Sequence, residues 1–323
     1  MTPSQPAIKM KALGKSGIMV APLAFGGNVF GWTADEATSF RLLDEFVNRG
    51  FNLIDTADVY SRWVAGNQGG ESEAIIGRWI KKSGRRNKVV IATKVGIEMG
   101  EGKKGVSRTY INQAVEDSLR RLQTDYIDLY QAHRDVADVP LLETLEAFAD
   151  LIRQGKVRAI GASNYTADRF AESLEVSKKH GLPRYESLQP NYNLYDRADF
   201  ENGLESLCLK ENIGVINYYS LASGFLSGKY RSEDDLSKSK RGAGVKKYLD
   251  ARGMRILGVL DEVATQYRAT PTQVSLAWLM ARPSITAPIA SATNLDQLGD
   301  LIASINLKLD QAAITRLNDA SQA

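Results

Sequence analysis

Four residues have the types needed to build a Brønsted acid around a phenol: Asp55, Tyr60, Lys94 and His133. The stretch "FNLIDTADVYS" is apolar at Phe51, Leu53 and Ile54, turns acidic at Asp55 and Asp58, and reaches Tyr60. "VVIATK" ends in Lys94 and "IDLYQAH" in His133. Taken singly, each has an ordinary reading: a carboxylate forming a turn, a packed tyrosine, a solvated lysine, a satisfied core histidine. Taken together they suit proton transfer. A phenol of pKa near ~10 is a weak acid at neutrality. An ammonium about 4 Å away favours phenolate by roughly 4 kcal/mol at an effective dielectric of about 20. Burial tends to strip a lysine of its proton, and a neighbouring carboxylate opposes that. Asp55 therefore keeps Lys94 charged, Lys94 acidifies Tyr60, and His133 orients a carbonyl oxygen between them. Such a set protonates a carbonyl oxygen while a separate donor delivers hydride to its carbon. Asp58 reads as a turn or capping residue.

These residues meet only if a fold gathers their strand ends. The strand candidates are 23–25, 51–54, 89–93, 127–132, 157–162, 187–190, 214–218 and 286–290. Helical patterns lie between them. Ile111, Val115, Leu119 and Leu122 share one face, as do Leu141, Leu145, Phe148 and Ile152. "TADE", from Thr33 to Glu36, reads as a capping box opening a helix that Gly50 closes. Eight strands alternating with helices predict a closed (β/α)8 TIM barrel, with an open doubly wound sheet as the alternative. No linker divides the chain, so one domain over 1–323 is expected. Ahead of the first barrel strand, "KMKALGKSGIMVAPL" predicts a β-hairpin plugging the barrel bottom. A long loop insertion falls between strands 7 and 8, at 228–247 ("GKYRSEDDLSKSKRGAGVKK"). It is either a disordered insertion or a lid over a ligand. In a barrel, chemistry sits where strands end. Those positions hold Asp55, Lys94 and His133, then Ser163 and Asn164 in "GASN", Gln189 in "LQPNYN" and Tyr218 in "INYYS".

Composition excludes several function classes. A net charge of +3 offers no polybasic surface for nucleic acid or membrane. One cysteine, Cys208, excludes an intrachain disulfide and a thiolate zinc cluster. Two histidines, His133 and His180, without a HExxH pair, argue against a zinc hydrolase, and no metal is expected. "MTPSQPAIKMKALGKSG" lacks the apolar core of a signal peptide. No run approaches the ~18 apolar residues of a membrane span, so a cytoplasmic protein is the expectation. "GEGKKG" (100–105) matches GxGxxG. It neither leaves its strand directly nor opens the next helix, as a Rossmann turn must, and it reads as a βα loop.

The landmarks "LAFGGNVFGW", "IDTADVYS", "GGESEAIIGRW", "VVIATKVG", "DYIDLYQAHR", "IRQGKVRAIGASN", "LQPNYN", "YYSLASGFLSGKY" and "SATNLDQL" span nearly the whole chain. In combination they resemble an aldo-keto reductase. That resemblance implies a (β/α)8 barrel, NADP(H) bound without a Rossmann turn, and a tetrad falling on Asp55, Tyr60, Lys94 and His133. It also implies cofactor contacts. Ser163, Asn164 and Gln189 would hold the carboxamide, and Tyr218 would stack on the nicotinamide. Leu221, Ser223, Gly224 and Lys229 would meet the pyrophosphate, with Arg241 closing over it. Ser291, Thr293 and Gln297 would approach the adenosine. The chain departs from the commoner pattern in two places. Tyr219 and Ser220 follow the stacking tyrosine where Ser-Pro is frequent, and the Lys-Ser…Arg clamp of some branches is replaced by Ser291, Ala292 and Gln297. NADP(H) then depends on Lys229 and Arg241, with NAD(H) not excluded. Phe30, Trp32 and Trp63 are candidates for the pocket of a small carbonyl substrate. Two other functions fit the same residues: a nicotinamide-dependent regulatory subunit of a channel, and a barrel enzyme using Lys94 as a Schiff-base amine.

Overall fold

The computed structural model describes residues 8–322, so the first seven residues of the N-terminal segment lie outside it. A two-stranded antiparallel hairpin, β1 (Lys11–Ala12) and β2 (Met19–Val20), comes first. Eight parallel strands follow: β3 (Ala24–Gly26), β4 (Leu53–Asp55), β5 (Val90–Val95), β6 (Ile127–Ala132), β7 (Val157–Ser163), β8 (Tyr185–Gln189), β9 (Gly214–Val215) and β10 (Ile289–Ala290). They pair in the order β10-β3-β4-β5-β6-β7-β8-β9. The ring closes where Ala287 N and Ile289 N donate to Val215 O and Asn217 O, at 3.2 and 2.9 Å. This is the expected (β/α)8 barrel with its N-terminal hairpin.

Helices alternate with the strands: α1 (Glu36–Asn48), α2 (Glu71–Ser83), α3 (Arg108–Leu122), α4 (Leu141–Arg153) and α5 (Ala167–His180), then the shorter α6 (Ala198–Glu201) and α7 (Leu204–Glu211). The remaining helices are α8 (Ala251–Tyr267), α9 (Pro271–Ala281), α10 (Leu295–Ala303) and α11 (Gln311–Ala320). Outward strand residues pack on the helices in one large core, whereas Ala24, Leu53, Ala92, Leu129, Ala159 and Ile216 form a separate interior cluster. Leu13, Ile18 and Val20 of the hairpin belong to that interior cluster, so the hairpin does close the bottom. Gly14 at its turn is required. Its φ is +58°, and a Cβ there would stand 2.3 Å from Glu186 O.

Three local expectations need correction or completion. Thr33 does not cap α1, because its N–H turns back to Val29 O at 3.0 Å. Asp35 caps instead, accepting from Thr38 N at 2.8 Å. The glycine run 100–105 forms a small turn bridged from Gly100 to Lys103, and α3 begins only after Ser107, its cap. No helix N-terminus faces those glycines. The long loop is ordered as two 3-10 segments, Glu233–Lys238 and Gly242–Tyr248, tied by a 2.6 Å contact between Tyr230 OH and Ser239 Oγ. Among the described residues no helix is long and apolar enough to cross a membrane.

Candidate active site

Along β5 the side chains alternate faces. Thr93 points outward, where its hydroxyl donates to Glu73 of α2 at 2.6 Å, so Lys94 points inward. Its ammonium is fully buried and spends all three N–H bonds at once: on Asp55 Oδ2, Thr56 O and Tyr60 OH, each at 2.8 Å. All three of its hydrogens are engaged, an arrangement that suits an ion pair rather than the free amine a Schiff base needs. Asp55 ends β4 and is 1% exposed. Its second oxygen accepts from Gln189 Nε2 at 2.9 Å, so the carboxylate is satisfied from two sides. Tyr60 reaches back over the barrel mouth to Asp55 Oδ2 at 3.3 Å. His133, just past β6, lies with its ring 6.2 Å from that of Tyr60, and its Nδ1 is buried without a partner. The four residues converge from three adjacent strand ends.

The electrostatics correct one expectation. Tyr60 is not acidified: burial, then the Asp55 charge, push its phenol well above the ordinary value. Lys94 is itself held below its ordinary value, because burial outweighs the support of Asp55. Burial and then Lys94 push His133 well below the imidazole range, so it is neutral at physiological pH. The site is a set of neutral donors built around one internal ion pair.

Asp58 lies in a turn, as expected, with its N–H on Lys94 O at 3.3 Å. Both oxygens are buried without partners beside Glu73, whose own partner is Arg121 at 2.7 Å. Burial and the Glu73 charge raise its pKa well above the carboxylate range.

A cavity of about 700 Å³ opens over the tetrad, within the range of ligand sites. Its lining includes Asp55, Tyr60, His133 and Trp63 together with Ser163, Asn164, Gln189, Tyr218, Leu221, Ser223, Gly224, Lys229, Arg241, Ser291, Thr293 and Gln297. Local bonds fix several of these. Asn164 donates to His133 O at 2.8 Å and accepts from Tyr218 OH at 2.7 Å, while Ser163 Oγ donates to Gln189 O at 2.8 Å. Gln297 Oε1 accepts from Thr293 N at 2.8 Å, and Ser291 Oγ donates to Asn28 Oδ1 at 2.7 Å. Of the pocket candidates, Phe30 does not line the cavity. It is fully buried and stacked on Phe25 at 5.3 Å, because the backbone after β3 turns its ring into the core. Trp32 is not in the lining either. It stands beside it, edge-on to Trp63 at 5.6 Å, with the Arg241 guanidinium 5.2 Å over its ring. Asn28 and Tyr219 also line the cavity without having been expected there, while Lys238 and Lys240 come from the long loop, where a lid was one of the two expectations. Asn28 was legible, since it follows the end of the first barrel strand.

The residues present fit a phosphate-bearing nicotinamide. Arg241 has a buried, unpartnered Nη2. Ser223 and Gly224 adopt φ of 59° and 97°, turning backbone toward the cavity beside Lys229. Among the described residues no group of His, Cys, Asp and Glu could hold a metal ion.

A parallel barrel with a buried Asp–Lys pair and a half-buried Tyr at its mouth is the arrangement of one class of oxidoreductase, and the comparisons with known proteins supply the class. The Aldo/keto reductase family pattern matches residues 22–322, and the chain belongs to that family. It is 33% identical to Protein tas of Escherichia coli (strain K12), over 95% of this chain and 96% of that protein. It is 34% identical to the uncharacterized oxidoreductase YrpG of Bacillus subtilis (strain 168), over 95% and 94% of the two chains. Aldo-keto reductase AFTS1 of Alternaria alternata is 33% identical, over 97% and 92%.

Proposed function

We propose that this chain reduces an aldehyde or ketone to the alcohol with NADPH. The observation that carries the reading is the Lys94 ammonium, 2.8 Å from both Asp55 Oδ2 and Tyr60 OH beneath an open cavity. Family membership supports oxidoreductase chemistry on carbonyls. A reduced nicotinamide, when bound, would supply the hydride for the carbonyl carbon. Tyr60 and neutral His133 both donate to the carbonyl oxygen, and as charge develops there Tyr60 releases its proton. The alkoxide is a far stronger base than a phenolate, so the transfer runs downhill even from a phenol held above its ordinary pKa. Lys94 receives the phenolate as an ion-pair partner, and Asp55 keeps the ammonium in register. Gln189, Ser163 and Asn164 would hold the carboxamide, and Tyr218 the ring. Lys229 and Arg241, with Lys238 and Lys240 on the same cavity, supply positive charge for the phosphates and favour NADPH over NADH. Tyr60→Phe tests the assignment. It should abolish turnover while cofactor binding persists, and unchanged turnover sinks the reading.

A further inference from the structure

We propose that Gln131, buried in the barrel beside the tetrad and outside the cavity, is a positioning residue. It takes the second N–H of the Gln189 amide, so that Gln189 meets the cavity with its carbonyl oxygen and the site selects a pyridine ring whose substituent donates an N–H. The proposal rests on the nicotinamide reading above and adds to it the residue that decides which end of an amide the ring meets.

Gln131 lies on β6 opposite Lys94 on one side and Gly161 on the other, so its side chain enters the barrel interior as that of Lys94 does. It is fully buried and does not line the cavity. Barrel interiors are filled mainly by apolar side chains. Two residues earlier on the same three strands, Ala92, Leu129 and Ala159 keep to that rule. An amide in the next layer needs a reason, the more so because Gln131 Nε2 is buried without a partner.

The reason lies in Gln189. Its Nε2 donates to Asp55 Oδ1 at 2.9 Å, and a carboxylate paired with Lys94 offers only acceptors, so the nitrogen end of the amide faces Asp55. A primary amide carries a second N–H, and Gln131 Oε1 accepts it at 3.4 Å. Turning the Gln131 amide end for end would set two donors against each other. Its unpartnered Nε2 therefore follows from the contact its oxygen makes. Gly161 leaves space for this arrangement, since a Cβ there would stand 3.2 Å from Gln131 Cγ and 2.1 Å from Ser187 Oγ.

With both N–H bonds committed inside the barrel, the free end of Gln189 is its side-chain carbonyl oxygen, and Gln189 lines the cavity. That end accepts from an N–H and is left unpaired by a substituent that has none. A site built this way rejects an analogue lacking the donor, because its own buried polar group then has no partner.

The test is calorimetric titration of the full chain with NADP⁺ and with its acetylpyridine analogue, in which a methyl group stands where the carboxamide has its NH2. The parent should bind NADP⁺ about tenfold or more tightly than the analogue. Gln131→Met keeps much of the length and removes the acceptor, which frees one N–H of Gln189 and lets that amide turn. Affinity for NADP⁺ should then fall by about fivefold or more, and that for the analogue should change by less than about twofold. Melting should be little altered, because the same substitution removes the unpartnered amide nitrogen of Gln131. Gln131→Glu retains an oxygen acceptor and should restore the parent preference. A purely structural role would move both affinities together. Equal losses for the two nucleotides, a preference unchanged in Gln131→Met, no recovery in Gln131→Glu, or a parent indifferent to the two overturns the positioning role and leaves the nicotinamide reading in place. A parent that binds neither nucleotide overturns both.

Discussion

Lys94→Met gives the sharpest test of the buried ion pair, because methionine keeps much of the length and removes the charge. With Lys94 Nζ 2.8 Å from the phenol oxygen, the attraction for a phenolate is about 6 kcal/mol at an effective dielectric of ~20. Asp55 Oδ2, 3.3 Å from the same oxygen, opposes it by about 5 kcal/mol on the same basis. The near cancellation leaves burial, the largest cause, to hold the phenol above its ordinary value, and it makes the variant informative. Without the ammonium, the opposing carboxylate acts alone and the phenolate is disfavoured by several further pK units. If half of that penalty reaches the barrier, kcat falls by about a hundredfold or more, within the span of general-acid effects.

The assay is the absorbance loss of reduced nicotinamide under saturating substrate, with cofactor affinity measured separately. Losing one member of a buried pair also costs about 3–5 kcal/mol of stability, so thermal melting accompanies the kinetics. The double variant Asp55→Asn/Lys94→Met should recover much of that stability and little of the turnover, since the pair acts as one unit. A Lys94→Met enzyme within about threefold of the parent kcat would refute the role given to the ammonium.

Four further outcomes follow from the same geometry. Asp58 has a folded pKa raised well above its unfolded value near ~4, so the parent loses stability as pH rises from about 4 towards the folded pKa. Asp58→Asn should flatten that slope, read as urea midpoints at about pH 5 and pH 8, and an unchanged slope would contradict the neutral acid. Arg121→Ala strips Glu73, fully buried, of its 2.7 Å partner and should cost about 3–5 kcal/mol by denaturant titration. Gly242→Ala would drive a Cβ to 1.7 Å from Leu236 O, which should displace the segment carrying Arg241 and speed cofactor release in stopped flow. Because His133 is held well below its ordinary value, kcat/KM should be flat from about pH 6 to 8, and an acid limb near ~6.5 would show a titrating imidazole.

What the sequence discloses is uneven for physical reasons. Strand β6 was bounded correctly at Ile127–Ala132, because a barrel strand buried on both faces reads as a compact β-rich run between turn signals. The positions of Asp55, Lys94 and His133 at strand ends follow from the same runs. Thr33 misled because a capping box is a local pattern, and the turn after β3 carried that threonine away from the helix. Phe30 misled because the path of the chain after β3, not its hydropathy, decides which way a ring faces. The loop at 228–247 has no periodicity, and its order comes from contacts such as Tyr230 with Ser239, which composition does not encode.

The sign of the tyrosine shift is not legible in the sequence, for a definite reason. Spacing tells which charges are near, but desolvation depends on what covers them, and Lys94 and Asp55 are covered almost completely. An ion pair sealed at this depth acts on its surroundings nearly as a dipole, so each charge is largely cancelled for a third group close to both. Tyr60 therefore keeps its proton in the ground state and gives it up only when a stronger base forms against it. Protonation is tied to hydride arrival, and the buried pair contributes at the moment when the phenolate and its counter-ion must coexist.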